Sequence, residues 1–309
     1  MIRGVVAKST GHWYDVWLEN GKTCQCRLRG KLRLTNHKLT NYLAVGDVVW
    51  VENWDTESAA ICKLEPRKNY LIRRATKLSS QFHLVAANIN QAIIMATYLQ
   101  PRTSTGFIDR FLVACQSYGI EPIICFNKMD LITQADRPDF QAISEVYITA
   151  GYRVLFTSLK NGTNLDEVET ILLNRTTLIF GHSGTGKSTL LNLMIPGVFQ
   201  QIKDISATHN KGTHTTTFAQ MFKMNDSTFM IDTPGVKEFG MEKMEEWKLA
   251  HYFREFEPYI SLCRYNTCTH IHEPGCEIQK ALARMDISDF RYKNYLNMII
   301  DINDQTSRF

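Results

Sequence analysis

At 309 residues, with 44% hydrophobic and 21% charged residues, the chain can bury more than one core. No uninterrupted run of about 18 apolar residues occurs, which argues against a membrane span. The opening Met1–Lys8 turns polar too soon for a secretory signal, and eight cysteines without such a signal point to a reducing, cytoplasmic setting.

The formal net charge of +4 is unevenly spread. Residues 1–75 hold 13 Lys+Arg against 7 Asp+Glu, and the remainder 22 against 24, so the whole positive excess lies in the N-terminal quarter. That quarter reads as all-β. Trp13–Leu18 and Thr23–Leu28 flank Asn20-Gly21, a strong hairpin signal, and Asp47–Val51 and Ala59–Cys62 suggest further strands. Several short strands in about 70 residues predict a small barrel, with an OB-fold the leading choice.

From Cys24 to Leu34 the alternation is strict. Cys24, Cys26, Leu28, Leu32 and Leu34 fall on one face; Arg27, Arg29, Lys31 and Arg33 fall on the other. A solvated strand face normally mixes both signs, whereas four cations without an acid suit a nucleic-acid backbone. Cys24 and Cys26 then point inward as packing residues, and Cys62, Cys115 and Cys125, in apolar runs, are expected in cores.

After the apolar run Pro122–Phe126 comes Asn127-Lys128-Met129-Asp130. A loop at the C-terminal end of a strand is where open α/β sheets bind ligands. An aspartate there accepts two hydrogen bonds from guanine, and a site built around such a buried carboxylate rejects a base that leaves it unpaired. Val154-Leu155-Phe156 then leads into Thr157-Ser158-Leu159-Lys160, a short loop able to support the base through Ser158.

Thr176–Phe180 reads as a buried strand, followed by Gly181-His182-Ser183-Gly184-Thr185-Gly186-Lys187-Ser188-Thr189 and a helix that Pro196 ends. Strand, glycine loop and helix are the context a phosphate-binding loop needs. Glycines let backbone N–H groups wrap phosphate oxygens, Lys187 reaches the outer phosphates, and the Ser188 hydroxyl ligates Mg²⁺. Thr228–Ile231 is a further strand, and Asp232-Thr233-Pro234-Gly235 fits a second switch, with Asp232 holding Mg²⁺ through water and the Gly235 amide sensing the terminal phosphate.

Between these lies the hydroxyl-rich stretch His209–Thr217, a candidate first switch in which Thr216, or next Thr215, supplies a Mg²⁺ ligand. Many GTPases place a glutamine directly after the D-x-x-G glycine to orient water; here that position is Val236. His214 is the nearest alternative in sequence. The catalytic candidates are His214, Lys187 and Thr216.

Near the C-terminus, Cys263-x4-Cys268-x-His270-x5-Cys276 gathers a Cys₃His set within 14 residues, with His272 a competing imidazole. Four protein ligands make a closed structural Zn²⁺ site. Glu245–Phe256 and Phe290–Ile300 around it read as helical, with Leu249, Phe253 and Phe256 on one face of the first.

Base reader, supporting loop, phosphate loop, first switch and second switch, in that order, resemble the circularly permuted GTPases. The N-terminal barrel and the C-terminal C-x4-C-x-H-x5-C narrow the resemblance to the ribosome small-subunit-dependent GTPase A family (RsgA, also called YjeQ). Ala87–Gln91, Ile108–Leu112, Gly212-x-His214-Thr215-Thr216-Thr217 and Asp232–Gly240 also match. The resemblance implies a monomeric factor that binds the small ribosomal subunit and its rRNA late in maturation and hydrolyses GTP there, stimulated by the subunit. It also raises His214 as the catalyst. An asparagine that many relatives carry in the phosphate loop falls at Gly184 here, which puts potassium activation in doubt.

The expected fold class is multidomain α/β. An OB-fold RNA-binding barrel occupies 1–70, a circularly permuted P-loop GTPase domain 71–244, and a zinc-binding helical domain 245–309. GTP or GDP and Mg²⁺ are expected on Asn127, Lys128, Asp130, Ser158, residues 181–189, Asp232 and Gly235. Two readings compete with a subunit-stimulated GTPase: a nucleotide-gated RNA-binding switch with incidental hydrolysis, and a P-loop ATPase.

Overall fold

The structure, a computed structural model, describes residues 1–30, 39–56, 58–74, 82–198, 219–233 and 244–306. Strands β1 (Ile2–Ser9), β2 (Tyr14–Leu18), β3 (Thr23–Leu28), β4 (Val48–Glu52) and β5 (Ala60–Leu64) form the N-terminal unit. β1 pairs antiparallel with both β2 and β4, β3 runs parallel to β5, and β4 closes on β5, giving a ring in the order β1-β2-β3-β5-β4. This is the predicted OB-type barrel. Alternation fills it: Cys24, Cys26 and Leu28 of β3 face inward with Val6, Val16, Val49, Val51 and Ile61. The hairpin between β2 and β3 turns through Glu19-Asn20-Gly21, with Gly21 N donating to Leu18 O at 2.9 Å.

Next comes a hairpin that the motifs did not indicate, β6 (Tyr70–Arg74) paired antiparallel with β7 (Phe82–Ala87). It sits against the barrel: Ala87 N donates to Val45 O at 2.8 Å, and Asn88 Nδ2 to Gly46 O at 2.9 Å. Beyond it lie β8 (Gln91–Ala96), β9 (Glu121–Phe126), β10 (Arg153–Phe156), β11 (Thr176–Phe180), β12 (Gln220–Lys223) and β13 (Phe229–Asp232). Their spatial order is β10-β9-β8-β11-β13-β12, all parallel except β12, which also meets β1 at Lys8↔Gln220. Central strands covered on both faces carry apolar residues at every position. Thus Ile94 and Phe180 face α1 (Thr105–Ser117) and α2 (Arg137–Thr149), while Ile93 and Ile179 face α3 (Leu165–Leu172) and α4 (Lys187–Met194).

The chain enters this sheet near its middle at β8 and steps outward to β9 and β10. It then returns to lay β11 on the other flank of β8. The β8–β11 boundary is therefore where successive connections diverge, the place at which such sheets bind ligands. That is the wiring expected of a permuted domain.

The C-terminal unit is helical. The expected continuous helix over Glu245–Phe256 is instead broken into Glu246–Leu249 and two 3₁₀ turns, Ala250–Tyr252 and Arg254–Phe256. The Tyr252 carbonyl accepts from Gln116 Nε2 of α1 at 3.0 Å, and Phe256 N turns to Phe253 O at 2.9 Å. Leu249, Phe253 and Phe256 nonetheless share one core with Tyr295 and Met298 of the closing helix, Asp289–Thr306, and with Val113 of α1.

This unit is bolted to α1. Arg291, wholly buried, pairs with Asp109 of α1, and its Nε meets Glu255 Oε1 at 2.5 Å. Tyr147 Oη donates to the same Asp109 at 2.9 Å and Asn294 Nδ2 at 2.6 Å. Arg254 adds contacts to Gly151 O at 2.7 Å and Glu121 at 2.9 Å. Removing one member of a buried ion network strands the others, so Arg291→Ala is expected to cost about 3–5 kcal/mol in urea unfolding. Replacing Arg110, which pairs with Asp301 near the surface, is expected to cost about 0.5 kcal/mol or less.

Candidate nucleotide site and metal centre

The loops after β8, β9, β10 and β11 meet at one edge of the sheet, and Asn127 joins three of them. Its backbone N donates to Ala96 O at 2.8 Å, its Nδ2 to Thr185 O at 2.9 Å, and its Oδ1 accepts from Leu159 N at 3.1 Å. The first asparagine of the base reader thus fixes the phosphate loop against the base-supporting loop. Gly186 is the matching feature: its φ is +107°, and a Cβ there would collide with Asn127 Nδ2.

Asp130 lies at the rim and accepts from Ser158 Oγ at 2.6 Å. The sequence suggests a buried carboxylate; the structure leaves this one exposed, so it loses water only when a base covers it. Met129 N donates to Thr157 O at 3.0 Å, which binds the two base loops together. Lys128 Nζ donates to Gln100 O at 2.6 Å, a contact to the β8–α1 connection that no motif announces.

In the phosphate loop, Lys187 Nζ donates to Gly181 O and His182 O, each at 2.6 Å, and Thr185 Oγ1 donates to His182 O at 2.9 Å. The ammonium is thereby held over the loop. Ser188 and Thr189 at the start of α4 keep exposed side chains, Ser188 at the place a Mg²⁺ ligand requires. Asp232 ends β13 beside them. Burial raises its carboxyl pKa while Lys187 pulls it down, and burial lowers that of Lys187 while Asp232 opposes the shift. An unscreened acid and base facing each other suit a site that exchanges partners for phosphate and a divalent cation. His182 stacks on Phe107 of α1 at 3.7 Å, and burial, with the Lys187 charge adding to it, lowers the pKa of its imidazole.

His214, Thr215, Thr216, Gly235 and Val236 lie outside the described residues, as do Lys31 and Arg33. Of the expected cationic face, Arg27 and Arg29 are exposed on the barrel. Arg27 stacks over Trp13 at 4.1 Å, and Arg29 pairs with Glu52 at 3.0 Å. The strand face therefore has an acid beside it, contributed by β4 rather than by β3 itself. Cys115 and Cys125 are buried as expected, but Cys62 is half-buried, its Sγ 3.3 Å from Trp50 O.

In the C-terminal unit the donor atoms of Cys263, Cys268, His270 and Cys276 all lie within 4.8 Å of one another. His270 Nδ1 is 3.6 Å from Cys263 Sγ and 3.4 Å from Cys276 Sγ. Tetrahedral zinc with its ordinary bond lengths places S and N donors roughly 3.5–3.8 Å apart, so the set fits that ion. His272 is exposed and outside the cluster. Glu273 braces the knuckle, accepting from Thr269 N at 2.6 Å and Ile271 N at 3.0 Å.

A model of the RsgA GTPase family matches residues 64–242, and one of the RsgA N-terminal domain matches residues 3–61. This chain belongs to the RsgA GTPase family. A Phocaeicola vulgatus relative named small ribosomal subunit biogenesis GTPase RsgA is 43% identical over 97% of each chain. A Bacteroides thetaiotaomicron relative, RsgA 2 of the same name, is 42% identical over 97% of each. The crystal structure of YjeQ from Thermotoga maritima superposes with a TM-score of 0.77 at 32% identity, covering 97% of this chain and 98% of that one. YloQ, described as a circularly permuted GTPase, gives 0.75 at 28% identity, covering 99% and 96%. As an RsgA GTPase the chain hydrolyses GTP, and with that activity come GTP, GDP and Mg²⁺ as its ligands. Among the described residues no helix is long and apolar enough to cross a membrane.

Proposed function

We propose that this RsgA-family GTPase acts on the small ribosomal subunit late in its maturation and is stimulated by it, working as a cytoplasmic monomer. The reading rests on near full-length similarity to relatives that carry the name small ribosomal subunit biogenesis GTPase, together with the loop convergence on Asn127. In this reading Asp130 selects guanine, with Ser158 and Lys128 framing the base. The backbone of residues 181–186 and Lys187 hold the phosphates, and Ser188, Thr216 and Asp232 serve Mg²⁺. Gly235 senses the terminal phosphate, and His214 orients the attacking water. Arg27, Arg29, Lys31 and Arg33 contact rRNA from the barrel, and the Cys₃His cluster holds one structural zinc. The working domain limits are 1–70, 71–244 and 245–309.

Co-sedimentation with purified small subunits tests the partner. Retention with a non-hydrolysable GTP analogue and release with GDP is expected; pelleting that ignores the nucleotide, or no pelleting, contradicts the reading. His214→Ala is expected to keep GTP affinity and lose about a hundredfold or more of stimulated turnover, the usual scale for a positioned acid–base group. Unchanged stimulated turnover would remove His214 as the catalyst and favour another water-orienting group.

A further inference from the structure

We propose that the first turns of α1 couple the phosphate loop to the C-terminal unit, with the His182–Phe107 stack as the positioning contact at the loop. Residues 105–109 carry both attachments. On one side, the Phe107 ring lies 3.7 Å from the His182 imidazole at 25°, and 5.2 Å from Phe180 of β11. On the other, Asp109 receives Arg291, and Asn294 Nδ2 of the closing helix donates to Asp109 at 2.6 Å and Thr105 Oγ1 at 3.2 Å. The approach is close: a Cβ on Gly106 would lie 3.3 Å from Asn294 Oδ1.

His182 is not a catalytic residue in this arrangement. Its side chain turns to α1, whereas its carbonyl accepts from Lys187 Nζ and Thr185 Oγ1 at 2.6 and 2.9 Å. Any nucleotide that draws Lys187 or re-forms the loop shifts the backbone carrying the imidazole, and the stack transmits that shift to α1. A packed helix held on both sides passes on a displacement rather than absorbing it. Because coupling is reciprocal, docking of the C-terminal unit must then alter nucleotide affinity by the same factor.

The chain also joins the GTPase domain to the C-terminal unit covalently, and a single substitution in α1 separates that link from the contact route. Phe107→Leu keeps an apolar side chain there and removes the stack; Asn294→Ala loosens the far side by removing its hydrogen bond to Asp109, with Arg291, Asp109 and Glu255 all retained. An aromatic stack of this kind sets a scale of about two- to tenfold in GDP affinity for Phe107→Leu. Asn294→Ala is expected to weaken GDP binding less, and the double variant to fall short of the product of the two, since both cut one path. Amide hydrogen exchange supplies the decisive readout. GDP is expected to slow exchange along Asp289–Thr306 in the wild-type protein, and at saturating GDP this protection is lost in Phe107→Leu while the amides of β9 stay protected. Equal protection of the closing helix in both proteins, or no effect of GDP on it in the wild type, overturns the proposal. The inference requires nucleotide binding at this loop; wild-type protein that binds no GDP in the same assay refutes that requirement instead.

Discussion

Asp130→Asn is expected to weaken GTP binding by about a hundredfold or more while strengthening xanthosine triphosphate by a comparable factor. The carboxylate presents two acceptors to the N1–H and N2–H₂ donors of guanine, and hydrogen bonds to a charged group are worth about 1.5–3 kcal/mol each. An asparagine offers one acceptor and one donor, which suits xanthine, whose 2-oxo group replaces the amine. The exchange is clean because Asp130 is exposed and its described partner is Ser158 Oγ at 2.6 Å, which can bond to an amide oxygen as well. Asn127, which holds the loops together, is untouched. Competition of GTP, XTP and ATP against a labelled guanine nucleotide measures the effect. Retained GTP preference in the variant would mean that the base is read elsewhere, and effective competition by ATP in the wild type would contradict the family assignment.

Removing the metal from the Cys₃His cluster is expected to unfold the C-terminal unit and spare the central sheet. Apparent zinc-binding energies of about 10–16 kcal/mol at neutral pH become folding energy in small metal-stapled segments. The knuckle Cys263–Cys276 has little regular structure, and its own core depends on Cys268 and Cys276 lying against Phe256 and Tyr295. Burial pushes the Cys268 thiol up to about 12 and the His270 imidazole down to about 4, so without metal both are neutral at pH 7 and loading must expel the Cys268 proton. Chelation is therefore expected to become easier as pH falls. Cys276→Ala should behave as the chelated protein does. The checks are one zinc per chain by elemental analysis and loss of exchange protection confined to residues 245–306. Correctly folded protein with substoichiometric zinc would contradict the assignment.

The chemistry of the site was more legible than its assembly. Thr176–Phe180 and Pro122–Phe126 announce their strands because buried parallel strands are apolar throughout, and the glycine spacing announces the phosphate loop. β1 is harder to read. Gly4 interrupts its pattern, and the reason is tertiary: a Cβ there would sit 2.6 Å from Val16 Cγ1. The β6–β7 hairpin lacks a turn dipeptide and draws its register from the barrel it packs on. The break within Glu245–Phe256 follows from Gln116, 136 residues away from Tyr252, taking a helical carbonyl. Contacts of this length leave no local trace. The same holds for Arg291, in a stretch that reads only as helical, although it is the largest wholly buried side chain among the described residues. Motifs record what a ligand demands of nearby residues; they do not record which distant helix braces them.

GTP turnover with and without purified small subunits tests the central claim most directly. A slow rate for the protein alone, raised by more than about tenfold by small subunits and not by large subunits or unrelated RNA, is the predicted result. Turnover that is unchanged by small subunits, or that responds equally to any RNA, would contradict it.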